Sequence, residues 1–303
     1  MPERELVQRI NRLKAEKGAV ILAHNYQPPE IQDLADHLGD SLDLGRLAHS
    51  LDNGIVIFCG VRFMAETAAI LSPEKKVILP DPSAGCPMAD MISANGIIEM
   101  KAKHPGAAVV MYVNSPVSVK AQSDICCTSA NALDVISTIP ADRKIIFGPD
   151  KHLGAWVSST TGREMILWQG YCPVHQKFSV QRIRELKVEN PGAEVIVHPE
   201  VNPSISAEAD AVLGTNGMIR YAGRSETDAF IVGTEKEMCY RLQNEYPAKR
   251  FIPASGSAIC KNMKKNTLEK VLNSLENLEP VITVDETTAS KARHAIERMI
   301  EIG

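Results

Sequence analysis

The sequence lacks the features that mark membrane, secreted and nucleic-acid-binding proteins. No apolar run approaches the ~18 residues that a membrane-spanning helix needs. No basic block is present, and the net charge of −4 gives no reason to expect nucleic acid as a partner. The first residues, M-P-E-R-E-L, are charged and soon become amphipathic, which is not typical of a signal peptide. We therefore expect a cytoplasmic protein that binds neither membranes nor nucleic acid.

The cysteine content does not predict a disulfide framework. Seven cysteines are an odd number, and no secretory signal accompanies them. Reduced thiols are therefore the better expectation. The chain has 303 residues, of which 44% are hydrophobic, so it can bury the cores of two or three domains.

A repeat of 85 to 88 residues organises the chain. In each copy a helical pattern breaks at Gly or Pro-Gly, and a β-branched run follows that ends in polar residues. The three segments are L-K-A-E-K-G-A-V-I-L-A-H-N-Y (13–26), M-K-A-K-H-P-G-A-A-V-V-M-Y-V-N (100–114) and L-K-V-E-N-P-G-A-E-V-I-V-H-P-E (186–200). Three later landmarks keep the same spacing: Ser41, Ser129 and Thr215; Gly60, Gly148 and Gly233; Cys86, Cys172 and Cys260. We interpret this as one domain written three times.

Within each copy, strands of four to six residues alternate with helical stretches. This alternation predicts an α/β fold of three homologous three-layer αβα domains, each with a small parallel sheet. We place them around a pseudo-threefold axis with the active site at the centre. The predicted domains are 1–84, 85–170 and 171–260, and we expect C-terminal helices in 261–303 to join the first. Residues 291–302 carry the apolar stripe of a helix that packs on a domain.

Polar side chains follow the first strand of each copy. Because ligands of open parallel sheets bind beyond the carboxyl ends of the strands, these side chains are candidate site residues. They are His24, Asn25, Tyr26, Tyr112, Asn114, His198 and Glu200. Ser41, Ser129 and Thr215 stand near predicted helix starts, where free N–H groups favour anions. A single such hydroxyl is more often only a helix cap, and a single histidine more often structural. The triplication favours a shared site instead.

The cysteines fall into two groups. Cys59 lies in an apolar strand and Cys239 in a helical pattern, and the adjacent pair at 126 and 127 precedes a turn, so we expect these four to pack in the core. Cys86, Cys172 and Cys260 occupy equivalent loops, and the axis would bring them together as metal ligands.

Two metals suit such a site. His175 could complete a Cys₃His zinc site, but Ala89 and Met263 are its counterparts in the other copies, so that position is not part of the shared cysteine geometry. A [4Fe–4S] cluster on three cysteines leaves one iron open as a Lewis acid.

A set of short stretches along the chain forms a specific combination of motifs. They are I-L-A-H-N-Y-Q, G-D-S-L, V-R-F-M-A-E-T-A, C-P-M-A, Y-V-N-S, C-T-S-A-N-A, F-G-P-D-K-H-L-G, W-Q-G-Y-C-P-V-H, V-I-V-H-P-E and C-K-N-M-K-K-N-T-L-E. Through them the chain resembles the quinolinate synthase family, in its compact form, over essentially its whole length. The resemblance implies condensation of iminoaspartate (iminosuccinate) with dihydroxyacetone phosphate to quinolinate, phosphate and water, a step of de novo NAD synthesis. It also implies functional coupling to an aspartate oxidase or an aspartate dehydrogenase.

The resemblance assigns roles to residues. It implies a [4Fe–4S] cluster on Cys86, Cys172 and Cys260 with one open iron. The implied substrate-binding residues are His24, Ser41, Tyr112, Val113, Asn114, Ser129, His198, Pro199, Glu200 and Thr215. Glu200, His198, Tyr26 and His24 are the implied catalytic groups, because proton transfer suits them.

One departure and two alternatives remain. Many relatives have S-T-G where this chain has G-T-N at 214–216, so Asn216 replaces a flexible glycine in the predicted phosphate loop. A different three-cysteine [4Fe–4S] hydro-lyase would need no triose phosphate. A zinc-stabilised or metal-free binding module would be colourless.

Overall fold

The computed structural model describes residues 2–302, and the strands within them form three four-stranded parallel sheets. The strands are β1 (Ala19–His24), β2 (His37–Gly39), β3 (Ile55–Cys59), β4 (Lys76–Ile78), β5 (Ala108–Tyr112), β6 (Ile125–Cys127), β7 (Ile145–Gly148), β8 (Met165–Leu167), β9 (Glu194–Val197), β10 (Ala211–Val212), β11 (Ala229–Gly233) and β12 (Arg250–Pro253). Their orders are β2-β1-β3-β4, β6-β5-β7-β8 and β10-β9-β11-β12. The predicted α/β fold with three small parallel sheets is confirmed.

Helices lie before the first strand, between the strands and after the last of them. They are α1 (Glu3–Lys17), α2 (Pro29–Leu34), α3 (Ser41–Ser50), α4 (Arg62–Leu71), α5 (Ala94–Lys103), α6 (Val117–Lys120), α7 (Ala132–Ser137), α8 (Lys151–Thr161), α9 (Val180–Glu189), α10 (Pro203–Ser206), α11 (Thr215–Arg224), α12 (Glu237–Glu245), α13 (Leu268–Asn277) and α14 (Glu286–Ile300). Short 3₁₀ turns occupy Ala89–Met91, His175–Lys177 and Met263–Lys265. Each turn begins three residues after one of the repeated cysteines.

The first strand of each sheet is central and buried. Every residue of β1 and β5 is buried, which explains the nearly continuous apolar runs. The two Pro-Gly pairs that precede β5 and β9 end in Gly106 and Gly192, with φ of 80° and 83°. Only glycine adopts this conformation without strain, so these residues mark the entry into the central strand.

A repeated aspartate docks the second strand of each sheet onto the first. Its carboxylate accepts a hydrogen bond from a backbone N–H in the central strand. The pairs are Asp36 with Ile21 (2.8 Å), Asp124 with Val109 (2.8 Å) and Asp210 with Val195 (2.7 Å). Because the same bond recurs at 88 and 86 residues, the three copies share local structure as well as topology.

The C-terminal helices pack on more than one sheet. Helix α13 lies against α1, whereas α14 lies against α4, α6 and β6 and so joins the first and second sheets. The predicted apolar stripe is confirmed: Ala292, Ala295, Ile296 and Met299 of α14 are buried. Among the helices of residues 2–302, none is both long enough and apolar enough to cross a membrane.

Candidate active site

One cavity of about 310 Å³ lies where the carboxyl ends of the three sheets meet. Nearly all of the residues predicted for the site line it. They are His24, Tyr26, Ser41, Cys86, Tyr112, Asn114, Ser129, Cys172, His198, Glu200, Thr215 and Cys260. Because these residues come from all three copies, the convergence inferred from the repeat is what the structure shows.

Three predicted residues are placed differently. Asn25, Val113 and Pro199 are buried and are not among the residues that line the cavity. The backbone N–H of Val113 donates to the carbonyl oxygen of Cys127 and so extends the pairing of β5 with β6. Their contact with a substrate stays a prediction.

Glu200 is the buried acid of the cavity, with only 3% of its surface exposed. Tyr112 Oη donates to its Oε1 at 2.5 Å, and His175 Nδ1 lies 2.8 Å from its Oε2. Burial alone would raise the pKa of Glu200, but the facing His175 imidazole and the Tyr112 hydrogen bond outweigh it and hold that pKa below its ordinary value. Glu200 is therefore an ionised carboxylate at neutral pH.

His175 connects Glu200 to Tyr26. Its Nε2 lies 2.9 Å from Thr234 Oγ1, which in turn lies 2.5 Å from Tyr26 Oη. If Tyr26 donates to Thr234 and Thr234 donates to His175 Nε2, the other ring nitrogen, Nδ1, is the one that faces Glu200. The arrangement is a series of close polar contacts between two groups predicted to move protons.

The sequence argument set His175 aside, because its counterparts in the other copies are Ala89 and Met263. The structure corrects that view, since the 3₁₀ turn after Cys172 places the His175 ring directly on Glu200 and stacks it on His198 with centroids 4.8 Å apart. The available signal was the spacing C-x-x-H.

His24 and His198 occupy equivalent turns and have the same protonation state. Their Nδ1 atoms accept the backbone N–H two residues later, from Tyr26 at 3.1 Å and from Glu200 at 3.4 Å. Burial lowers the pKa of each to about 3, with smaller contributions from neighbouring cations and imidazoles. Both rings are therefore neutral with the proton on Nε2. The Nε2 of His198 lies 3.1 Å from Ser129 Oγ.

The predicted hydroxyl groups lie at or near helix starts. Ser41 is the first residue of α3, directly after Asp40, whose carboxylate caps the helix. Burial, with the nearby charge of Asp43, raises the pKa of Asp40 to about 6. Thr215 is the first residue of α11. Ser129 precedes α7 and contacts His198 instead.

Asn216, the departure in the predicted phosphate loop, joins the first and third sheets. Asn25 Nδ2 donates to Thr215 Oγ1 at 2.9 Å and to Asn216 Oδ1 at 3.0 Å. The Asn216 amide also donates to Asp43 in α3. A glycine at position 216 would make neither side-chain contact.

The three repeated cysteines open onto the cavity from matching loops. In each loop the carbonyl of the cysteine accepts the N–H four residues later. The pairs are Cys86 with Asp90, Cys172 with Gln176 and Cys260 with Lys264. Burial raises the pKa of all three thiols, to about 12 for Cys86. A neighbouring thiol and Glu200 add to this at Cys86 and Cys172, and Glu235 adds to it at Cys260.

The cavity contains residues that could hold a metal. Ligand atoms of Cys172, His175 and Glu200 all lie within 4.8 Å of one another. Of the cysteines in the described chain, the four predicted to pack in the core do not line the cavity. Cys59, Cys126 and Cys127 are fully buried in strands, and Cys239 lies in α12.

Comparison with known proteins decides the family. The family model described as "Quinolinate synthetase A protein" matches residues 8–301. The chain belongs to the quinolinate synthetase A family. It is 54% identical over 300 residues to the "Quinolinate synthase" of Dehalococcoides mccartyi, covering 99% of both chains. It is 49% identical to "Quinolinate synthase 2" of Methanosarcina acetivorans, covering 100% of this chain and 97% of that one. The "Quinolinate synthase" of Geobacter metallireducens is 48% identical, with 97% of each covered.

Membership of the quinolinate synthetase A family extends over all three sheets and all three cysteine loops, since the matched residues begin in α1 and end after α14. The resemblance identified from the motifs is thereby confirmed. Asp40, His175 and Glu235 also line the cavity of this family member, although sequence reasoning assigned them no role in the site.

Proposed function

We propose that the chain is a quinolinate synthase of de novo NAD biosynthesis. The reaction is condensation of iminoaspartate (iminosuccinate) with dihydroxyacetone phosphate to quinolinate, with release of phosphate and water. One observation carries the proposal: three thiols line the same cavity as a buried carboxylate that Tyr112 and His175 contact through its two oxygens. The names of the relatives support the same activity.

We assign a [4Fe–4S] cluster to Cys86, Cys172 and Cys260. The donor set fits, because three sulfur ligands reach one cavity from three loops and the remaining thiols of the described chain are elsewhere. The raised pKa values keep these thiols neutral without metal, and binding of iron would release their protons. Such a cluster supplies one open iron, a Lewis acid that polarises a hydroxyl or carbonyl oxygen.

The substrate groups have suitable partners in the cavity. Two carboxylates and a phosphate need donors, and the neutral rings of His24 and His198 present Nε2–H groups. Thr215 begins α11, whose first N–H groups favour anions, and Ser41 offers its hydroxyl at the start of α3, where Asp40 caps the first N–H groups. Ser129, Tyr112 and Asn114 add hydroxyl and amide groups.

Proton transfer falls to Glu200 and the groups bonded to it. Glu200 is ionised and buried, so it can accept a proton from a bound substrate. Tyr112 and His175 fix its two oxygens, and the path through Thr234 reaches Tyr26. His24 and His198 remain candidates for donating protons to departing oxygens.

Anaerobic purification with iron, sulfide and visible-absorbance analysis tests the proposal, followed by an assay of quinolinate from iminoaspartate and dihydroxyacetone phosphate. Wild type should be brown and active, and Cys172→Ala should lose both cluster and activity. Cys239→Ala, in α12 and off the cavity, is the matched control and should keep both. A colourless wild type that resists reconstitution, or a Cys172→Ala variant with its full cluster, would refute the assignment.

We also propose the division of the chain into 1–84, 85–170 and 171–260, with 261–303 joined to the first domain. The packing of α13 on α1 supports the last point. An aspartate oxidase or an aspartate dehydrogenase is the class of enzyme that would supply the imine. The free thiols favour a reducing compartment such as the cytoplasm.

A further inference from the structure

Each cysteine loop is tied to the start of the helix that follows the third strand of its sheet. A backbone N–H at that helix start donates to the carbonyl two residues before the cysteine. The pairs are Arg62 with Ala84 (2.7 Å), Lys151 with Gly170 (2.9 Å) and Lys236 with Ala258 (2.9 Å). These bonds place the three loops in equivalent positions.

The residue just before each of these donors differs among the copies. It is Val61 in the first, Asp150 in the second and Glu235 in the third, and both acids have 0% of their surface exposed. Glu235 Oε1 accepts the backbone N–H of Cys260 at 3.0 Å, and its Oε2 accepts that of Glu237 at 2.8 Å. The cysteine is thus held by a buried carboxylate through its own main chain.

Asp150 occupies the equivalent position in the second copy but makes a different set of bonds. Its Oδ1 caps α8 by accepting the N–H groups of His152 and Leu153, each at 2.8 Å. Its Oδ2 is buried and has no hydrogen-bond partner in the described part of the chain, so Cys172 lacks the carboxylate bond that Cys260 receives from Glu235. Burial, with the nearby Glu200, raises the pKa of Asp150 well above its ordinary value.

Lys264 extends the connection from Glu235 to the first sheet. Its Nζ lies 2.9 Å from Glu235 Oε1 and donates to the carbonyl oxygen of Tyr26, directly beyond β1. The Lys264 side chain is only 19% exposed, so this is an enclosed ion pair. Glu235 therefore joins the loop of Cys260 to the strand end that carries Tyr26.

We propose that Glu235 is a positioning residue that sets Cys260 for iron binding. Among the described residues, neither Val61 nor Asp150 gives Cys86 or Cys172 such a bond, so the three ligands are held unequally. The inference rests on the proposed iron–sulfur function. A charge-assisted bond to the ligand's own N–H restrains its Cα and therefore its Sγ, and removal of such outer-shell partners typically weakens metal binding.

The charge of Glu235 has a second effect. A carboxylate beside the ligand loop disfavours addition of an electron to the site, and the Lys264 ammonium at 2.9 Å offsets part of that charge. Removing the negative charge while keeping an acceptor oxygen should therefore raise the reduction potential. A residue with a purely structural role would not change that potential.

The test compares Glu235→Leu, which removes acceptor and charge, with Glu235→Gln, which keeps an acceptor for the Cys260 N–H. Glu245→Gln is the matched control, because that exposed acid lies in the neighbouring helix α12 and pairs with Arg241 at 2.7 Å. Iron and sulfide are measured after anaerobic reconstitution. The reconstituted proteins are then tested for loss of iron to a chelator and for their reduction potential, and the iron-free proteins are tested for thermal unfolding. We expect Glu235→Leu to fold but to bind iron about 10- to 100-fold more weakly. Glu235→Gln should keep its cluster at a higher potential, and the control should match wild type.

Each outcome decides the matter. The inference would be overturned if Glu235→Leu held its iron against the chelator as well as wild type does and the reduction potential of Glu235→Gln were unchanged. The cluster assignment would remain intact in that case. If Glu235→Leu does not fold, the potential of Glu235→Gln decides alone. A wild type that takes up no cluster would overturn the proposed function and this inference with it.

Discussion

Tyr112→Phe tests whether the buried carboxylate at the centre of the cavity depends on its hydrogen-bond donors. The substitution removes only the hydroxyl that donates to Glu200 Oε1 at 2.5 Å. The ring, which is 5% exposed at the end of β5, keeps its packing. No new atom is introduced, so the change isolates one hydrogen bond to an ionised group.

The magnitude follows from that bond. A hydrogen bond to a charged, buried group contributes about 1.5–3 kcal/mol, and a buried acceptor left without its donor has no water to replace it. If Glu200 must remain oriented and charged while the substrate reacts, the whole of this free energy is lost from transition-state stabilisation. At about 1.4 kcal/mol per factor of ten, turnover should fall about 10- to 150-fold.

The assay is quinolinate formation by cluster-loaded protein, with iron content measured on the same samples. Tyr240→Phe is the matched control, since Tyr240 also donates to a carboxylate, Asp33, at 2.7 and 2.9 Å, but in an exposed position. Water replaces that donor, so the control should keep its activity within about twofold of wild type. A Tyr112→Phe variant with full cluster and turnover within the same twofold range would refute the reasoning.

Two further outcomes test packing and protonation. A Cβ at Gly154 in α8 would lie 2.6 Å from Leu167 Cδ2, so Gly154→Ala should lower the free energy of unfolding in urea by about 1–3 kcal/mol. In the matched control Gly45→Ala in α3, the new Cβ would have no neighbour closer than 3.9 Å, so this variant should raise the free energy of unfolding by about 0.4–1 kcal/mol. If both variants changed the free energy of unfolding equally, the Leu167 side chain would have moved to make room for the new Cβ at Gly154. The pKa of His198 is about 3 in the folded protein and 6.5 in its ordinary state. Between these pH values the unfolded chain binds a proton at this residue and the folded protein does not, so the free energy of unfolding falls as the pH drops from 6.5 towards 3. Between pH 6 and 5, His198→Gln in iron-free protein should make the stability curve shallower by about 1.4 kcal/mol per pH unit. Parallel curves would contradict this.

The repeat made much of the fold predictable. Strand ends such as His24 and His198 recur at matched positions, and a parallel sheet brings its carboxyl ends to one edge. The equivalence of Cys86, Cys172 and Cys260 then predicted a shared site, and all three line one cavity. These inferences succeeded because they depend on local pattern repeated three times.

Where the copies differ, the same reasoning failed. His175 was discounted because its counterparts are apolar, yet it binds Glu200 and stacks on His198. No sequence pattern distinguishes Glu235 or Asp150, since each follows a strand as an ordinary helix-capping residue does. A symmetry argument identifies positions that the copies share, and a working site also needs residues that break the symmetry.

The sequence by itself determined the family, the three-sheet architecture and the set of cysteines that face the cavity, because strand periodicity and spacing are local properties of the chain. Only the tertiary structure decided which groups touch. The path from Tyr26 through Thr234 and His175 to Glu200 joins residues far apart in sequence. The protonation states of His198 and Glu200 were likewise decided by burial and neighbouring charge. Both depend on distances of a few ångströms, and no spacing along the chain encodes those distances.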